Sequence, residues 1–303
     1  MTPEVVVLAG GTGGAKLARG MLDVVGEALT VIANTADDLE IYGAYVCPDP
    51  DLCTFWLADR IDERGWGLRD DSFAVMDGLR ELGVDAWFAL GDRDLAIGIE
   101  RARRLAEGAR LTETLAELGD AFGLRARVLP MSDAPVRTWV RVQGSWMAFQ
   151  EFMICAGAEG PVEDAELRGM PEALPTPEVL AAIAAASAIV LGPSNPVVSI
   201  GPILTVPEMR QALLDSPAPI VAVSPIVEGS VLKGPTAAFM RWAGYDTSTD
   251  AIAAWYAGLI DGLVADEPVE GLPVLQTDTL MSDAASRRRV AEQALTFAEG
   301  LAA

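Results

Sequence analysis

Four carboxylates in two short stretches, Asp37-Asp38 and Asp49-x-Asp51, carry the most chemistry per residue in this chain. Both stretches read as loops, NTADD and CPDPD. Hard oxygen donors in such a set suit Mg2+, which commonly takes one or two carboxylates and completes its shell with water and substrate phosphate. A cation there would neutralise a diphosphate and stabilise its departure. Turn formation and helix capping are the competing use of the same residues, since Asp serves both well.

A second group faces the same chemistry. VVVLAGGTGGAKL at 5–17 is a β-branched run, then Gly10, Gly11, Thr12, Gly13 and Gly14, then a helical pattern. The first amides of a helix have no internal acceptor and its dipole adds positive charge, so strand, glycine turn and helix together make an anion site. Lys16 or Arg19 is the candidate charge partner. The third glycine of a dinucleotide fingerprint is missing, and Lys16 is not followed by the Ser or Thr of a P-loop. An NAD-dependent oxidoreductase is therefore disfavoured. Gly91-Asp92-Arg93-Asp94 offers Asp92 or Asp94 to a hydroxyl and Arg93 to a phosphate or carboxylate, with helix capping as the alternative. Ser194, Asn195 and Ser199 add neutral hydrogen bonds suited to a nucleotide, although a structural loop around Pro193 and Pro196 competes. Trp56, Trp66 and Trp87 are candidates for stacking on a flat ring, or for core packing.

The elements that position these groups alternate. Buried strands are expected at 5–9, 29–33, 188–191 and 220–223, with another at Ala86–Leu90. Helices are expected over Ser72–Leu82, Leu95–Glu107, Thr112–Phe122 (with a capping pair Thr114 and Glu117), Pro177–Ala186, Glu208–Leu214, Ala237–Ala243, Thr249–Leu263 and Ala284–Leu301. Thr138–Val142 and Trp146–Gln150 read as a hairpin about Gly144-Ser145. The β–α–β order predicts an α/β fold: a Rossmann-like three-layer parallel sheet, whose ligands lie beyond the carboxyl ends of the strands. The core is expected at about 1–45 and 171–303, with a smaller inserted α/β subdomain at about 46–170.

Bulk composition narrows the function. The 303 residues carry 22 basic and 44 acidic side chains, a net charge of −22. That sign opposes a uniform nucleic-acid footprint and repels anionic membranes, and it makes a divalent cation the natural companion of any polyanionic ligand. No apolar run reaches the roughly 18 residues of a membrane span, and no signal peptide is read at the start. Three unpaired cysteines indicate reduced thiols in a cytoplasm. Histidine is absent altogether, so catalysis falls to carboxylates, Lys, Ser/Thr, backbone donors or an oxygen-held metal.

With these residues in hand, the chain resembles the 2-phospho-L-lactate transferase (CofD/FbiA) family of deazaflavin coenzyme F-420 biosynthesis. The matching pieces run in order: GGTGGAKL at 10–17, NTADD at 34–38, CPDPD at 47–51, RGWG at 64–67, LGDRDLA at 90–96 and LPMSDAPVRT at 129–138. FQEF at 149–152, GPSNPVVSIGPIL at 192–204, VAVSPIV at 221–227 and KGP at 233–235 continue the series. The resemblance implies transfer of a phospho-three-carbon acid from a guanosine-diphospho donor to the ribityl hydroxyl of the deazaflavin Fo, with GMP leaving and Mg2+ assisting. It implies a metal on Asp37, Asp38, Asp49 and Asp51, with Asp37, Asp38 and Asp49 as catalytic candidates. Gly10–Gly14 with Lys16, and Ser194, Asn195 and Ser199, would hold the nucleotide, while Asp92 and Arg93 would line the acceptor side. It also implies a homodimer. The family's Thr-His, Arg-Thr and NTGDD positions read Ile97-Gly98, Arg101-Ala102 and Ala36 here, and basic residues after FQE are replaced by 154–157, ICAG. A more distant likeness to YvcK-type regulatory proteins implies the alternative, nucleotide-sugar binding without turnover.

Overall fold

The computed structural model describes residues 4–231 and 234–302. Strand β1 (Glu4–Ala9) alternates its apolar side chains between two layers. Val6 and Leu8 enter one, and Val5, Val7 and Ala9 the other. Helix α1 (Gly11–Val25) buries Ala15, Leu17, Ala18 and Met21, spaced to lie on one face. It returns the chain to β2 (Leu29–Ala33), parallel to β1.

The chain then leaves the sheet. A hairpin of β3 (Leu39–Ile41) and β4 (Ala44–Val46) runs into α2 (Pro48–Leu57), and α3 (Ala74–Glu81), α4 (Asp92–Ala106) and α5 (Leu111–Ala121) follow. Strand β5 (Arg127–Pro130) rejoins the central sheet beside β2, so the stretch 46–170 returns to the core once part-way. A second excursion holds β6 (Arg137–Val142), β7 (Ser145–Ala148), α6 (Phe149–Ile154) and β8 (Asp164–Arg168). Its three strands form an antiparallel sheet in the order β7-β6-β8.

The alternating pattern resumes with α7 (Pro177–Ala185), β9 (Ala186–Leu191), a π-helical turn Pro196–Ile200, α8 (Gly201–Thr205), α9 (Met209–Asp215) and β10 (Ile220–Val223). A small hairpin of β11 (Ile226–Val227) and β12 (Ser230–Val231) precedes α10 (Thr236–Trp242), α11 (Thr249–Trp255), β13 (Gly262–Ala265), β14 (Val274–Gln276) and α12 (Ala284–Leu301). The central sheet has seven strands in the order β14-β13-β10-β9-β1-β2-β5, all parallel. Helices α7, α9 and α11 cover one face, and α1, α2 and α12 the other. This is the expected α/β architecture.

Four local expectations fail. CPDPD at 47–51 is not a loop but opens α2, with Asp49 and Asp51 in its first turn. Ala86–Leu90 is not a strand; Ala86, Phe88 and Leu90 instead pack with Met76 and Leu95 in a peripheral apolar cluster. The helix expected over Thr249–Leu263 stops at Trp255, because Gly258 takes a φ of 70° and Leu263 enters β13. The cap of α5 is not Thr114 with Glu117. Glu113 instead accepts the Arg110 amide at 2.8 Å, while Thr114 Oγ1 donates to the Leu111 carbonyl. By contrast, Pro177 opens α7 as the sequence indicates, and Thr176 Oγ1 caps that helix by accepting the Val179 amide.

Candidate active site at the carboxyl edge of the sheet

The ends of β1, β2 and β9 converge at one point of the sheet edge. After β1, the chain turns through Gly10 and starts α1 at Gly11. The loop after β9 lies directly against this turn: Ser194 Oγ donates to the Gly10 carbonyl, and a Cβ at Gly13 would overlap the Pro193 carbonyl oxygen. Only glycine permits that approach. Ser199 packs on Gly10, where an added Cβ would lie 2.7 Å from its own Cβ. The structure therefore brings Gly10–Gly14, Ser194 and Ser199 together. Asn195 caps its own turn, its Oδ1 accepting the Val197 and Val198 amides at 2.9 and 3.3 Å, while its Nδ2 is buried without a hydrogen-bond partner.

After β2, Asn34 organises the carboxylates. Its amide donates to the Ala9 carbonyl, and its Oδ1 accepts the Ala36 amide at 2.9 Å, an Asx turn that folds Asp37 and Asp38 back on the strand end. Its Nδ2 donates to Asp37 Oδ2 at 3.1 Å and to Asp49 Oδ2 at 2.9 Å. Asp49 Oδ1 in turn accepts the Gly11 amide at 2.7 Å. Asp49 is delivered by the first turn of α2, where Pro48 fits the first helical position and the dipole favours carboxylates. Helix geometry leaves the Thr12 and Gly13 amides at the open end of α1 without intrahelical acceptors.

Asp37, Asp38 and Asp49 are all buried. Burial, and then the charge of Asp49, hold the Asp37 carboxyl well above the ordinary carboxylate range. Burial pushes Asp38 up to about 8 against the opposing pull of the Arg137 guanidinium. Asp49 rises to about 6 by burial, opposed by its bonds from Asn34 and Gly11. Asp37 Oδ1 and both oxygens of Asp38 accept no bond of good geometry, although the Thr138 hydroxyl stands by Asp37 and the Cys47 thiol by Asp38. Buried carboxylate oxygens left bare are costly unless something positive meets them. Hard oxygen donors of this kind fit Mg2+. Among the described residues no three acidic or thiol groups enclose one point. The set thus suits an ion shared with substrate phosphate and water more than a closed protein cage.

The remaining sequence candidates fall elsewhere. Both oxygens of Asp51 are taken by buried Arg101, at 3.0 Å from Nη1 and 2.5 Å from Nη2. Lys16 Nζ donates to the Met281 carbonyl at 3.1 Å and lies 6.0 Å from the centre of the Trp56 ring. Arg19 pairs with Asp23. Asp92 caps α3, accepting the Ala74 and Val75 amides and the Ser72 hydroxyl. Arg93 donates to the Arg69 carbonyl and stands 3.7 Å from Asp71. Burial, with Asp51 nearby, raises Asp94 to about 7. Trp56 packs partly buried against the core, Trp66 lies under the Arg64 guanidinium, and Trp87 meets Phe88 edge-on. Lys233 of the KGP stretch lies outside the described residues.

Three side chains that sequence reasoning gave no role also belong here. Arg137 Nη2 donates to the Tyr45 hydroxyl at 2.9 Å and acts on Asp38, and Arg101 reaches the Tyr45 carbonyl at 3.0 Å. Arg137 stands in the LPMSDAPVRT stretch, the one signal that could have drawn attention to it. Farther along the same sheet edge, an open cleft of about 710 Å3 lies between the β11–β12 hairpin and the segments after β13 and β14, lined by Glu228, Ser230, Asp266 and Asp278 among others.

Comparison with known proteins identifies the family. The family model described as 2-phospho-L-lactate transferase CofD matches residues 5–290. The chain belongs to that family. A Methanosarcina mazei protein named 2-phospho-L-lactate transferase is 37% identical, with 95% of this chain and 98% of the relative covered. A Kitasatospora aureofaciens protein named phosphoenolpyruvate transferase is 39% identical, with 98% of each covered. The crystal structure of a UPF0052-family protein from Bacillus halodurans shares the fold, with a TM-score of 0.61 at 17% identity over 97% of this chain and 99% of that one. The expectation of a transferase of the 2-phospho-L-lactate transferase kind therefore holds for this CofD-family chain. No helix among the described residues is long and apolar enough to cross a membrane.

Proposed function

We propose that this chain transfers a phospho-three-carbon-acid group (phospholactyl, phosphoenolpyruvyl or phosphoglyceryl) from a guanosine-diphospho donor to the hydroxyl of the deazaflavin Fo. The reaction releases GMP and belongs to coenzyme F-420 biosynthesis. The observation that carries the proposal is the meeting of Asp37 and Asp38, with unsatisfied buried oxygens, and Asp49 at the N-terminus of α1, where the Thr12 and Gly13 amides remain open once Asp49 has taken that of Gly11. The names of the relatives support the same reading, since both phospho-acids appear among them.

In this reading the Fo hydroxyl oxygen bonds to the phosphorus of the phospho-acid as the bond to the GMP phosphate breaks. The hydroxyl proton passes to one of the three carboxylates. The Thr12 and Gly13 amides hold the diphosphate, and the loop carrying Ser194, Asn195 and Ser199 forms the opposite wall. Mg2+ on Asp37, Asp38 and Asp49 would supply charge neutralisation for the leaving diphosphate. Asp51, engaged by Arg101, supports the cluster rather than completing its shell. Such transfer depends on positioning and charge, so a site without histidine suffices. The reading carries with it the cytoplasmic location and the homodimer implied by the family resemblance.

The test incubates the purified chain with Mg2+, Fo and each of the three guanylylated phospho-acids in turn. GMP release and a mass-shifted Fo adduct with at least one donor are expected. Absence of both across all three donors, or tight nucleotide-sugar binding with no turnover, would overturn the proposal.

A further inference from the structure

One face of α4 grips both supports of the carboxylate cluster. Arg101, 3% exposed and in the interior of that helix, makes a two-pronged pair with Asp51 and uses Nη1 a second time on the Tyr45 carbonyl. One turn earlier, Gly98 lies flat against the same hairpin: an added Cβ would stand 2.9 Å from the Ala44 Cβ and 3.2 Å from the Tyr45 carbonyl oxygen. Asp51 is two residues from Asp49, in the same first turn of α2, and Asp49 holds the Gly11 amide. Tyr45 holds Arg137, which faces Asp38. Two chains of contact therefore start at Arg101. One runs through Asp51 and α2 to Asp49 and the glycine turn, the other through Tyr45 and Arg137 to Asp38.

Burial opposes the charge on Arg101, yet Asp51 keeps its guanidinium protonated above its ordinary range. A buried ion pair is a poor source of stability, because desolvation offsets most of its attraction and apolar side chains of like volume often do as well. What the pair does supply is direction. A planar fork on a carboxylate fixes distance and angle together, which a lysine cannot reproduce.

We infer that Arg101 is a positioning residue for the transfer, a latch from α4 that sets Asp49 against the Gly11 amide and Arg137 against Asp38. The inference rests on the transferase reading for its effect on rate, though not for its effect on geometry. The test replaces the whole pair, Arg101→Met with Asp51→Leu, and separately makes Arg101→Lys. The paired variant removes both charges, so Asp51 is not left buried alone and the opposing effects of Arg101 and Asp51 on Asp38 and Asp94 go together. Its folding is expected to match the parent chain, its kcat to fall about 100-fold as misplaced groups require, and its donor KM to change little. Hydrogen exchange at the Gly11 amide is expected to quicken about tenfold, a local opening that leaves central-sheet amides protected. Arg101→Lys is expected to shift both readouts in the same direction by less.

If Gly11 exchange and kcat in the variants match the parent chain, the latch is overturned. Should the paired variant fail to fold, Arg101→Lys decides by the same two readouts. A parent chain that transfers nothing would sink the transferase reading alone, because Gly11 exchange still reports on the latch.

Discussion

Asp37 and Asp49 share one donor, the Asn34 amide, yet differ in what an isosteric amide would do to them. At Asp37 one oxygen is bonded and the other bare, so Asp37→Asn keeps its bond from Asn34 and loses only a crowded charge. We expect this variant to fold at least as stably as the parent and to lose about 100-fold in kcat, the scale of removing one preorganised electrostatic group. Asp49 accepts on both oxygens, from Gly11 and Asn34. Asp49→Asn must set one N–H donor against another, and thermal unfolding should show a loss of about 1–3 kcal/mol. The pH dependence follows from the same burial. Asp38 and Asp49 hold their protons to about 8 and about 6 in the folded chain, whereas their ordinary value is 3.8. Between those limits the folded state binds more protons than the unfolded one, so metal-free stability falls as pH rises from about 4 toward 8. Melting curves across that range should show the decline, flattened by Asp38→Asn and by added Mg2+. The carboxylates themselves were legible from residue type and spacing, but their partners were not. Buried Arg101 and half-buried Arg137 take their places through contacts made 50 residues or more away, at Asp51 and Tyr45.

At the scale of elements, α3 and α4 cap each other. Asp92, in the first turn of α4, takes the first amides of α3, and Asp71, just before α3, takes the amides of Arg93 and Asp94. The GDRD stretch is therefore held by capping, the alternative that sequence spacing left open. Asp71→Ala removes the acceptor for both α4 amides, and we expect a loss of about 1–2 kcal/mol in denaturant unfolding. Because α4 also carries Arg101, the same variant should lower kcat without abolishing it. Long amphipathic helices such as α1 and α12 could be read from their periodicity. Short apolar runs could not, since a run alone does not say whether a strand partner exists. Ala86–Leu90 found a local cluster, whereas Arg127–Pro130, unremarkable and ending in proline, found the open edge of β2.

At the scale of the molecule, the net charge of −22 would confront the proposed guanosine-diphospho donor, itself an anion. The carboxylate cluster is surrounded by a field of the wrong sign, and beyond about 10 Å that field is screened at an ionic strength near 0.1 M. Donor association should therefore quicken as salt rises from low values at constant free Mg2+, the reverse of the usual steering effect. Stopped-flow binding of a fluorescent guanosine-diphospho ligand would report it, and slower association with added salt would contradict the argument. The three-layer sheet, the placement of the glycine turn at its edge and the acidic character of the pocket were all accessible from composition and pattern. The assembly of that pocket from α4 and two hairpins was not, because it depends on contacts that no local period encodes.

The bond from Ser194 to the Gly10 carbonyl joins residues 184 apart. It sits where β9, the central strand of the sheet, closes on its neighbour β1. During synthesis β1 leaves the ribosome first and gains β2 early, but its other edge stays bare until well over half of the chain has been made. A bare central strand rich in valine is a template for pairing with other chains. Nascent or truncated forms ending before Ala186 should thus aggregate or occupy chaperones. The wall that the Ser194 loop forms against the glycine turn cannot exist in any fragment that lacks β9.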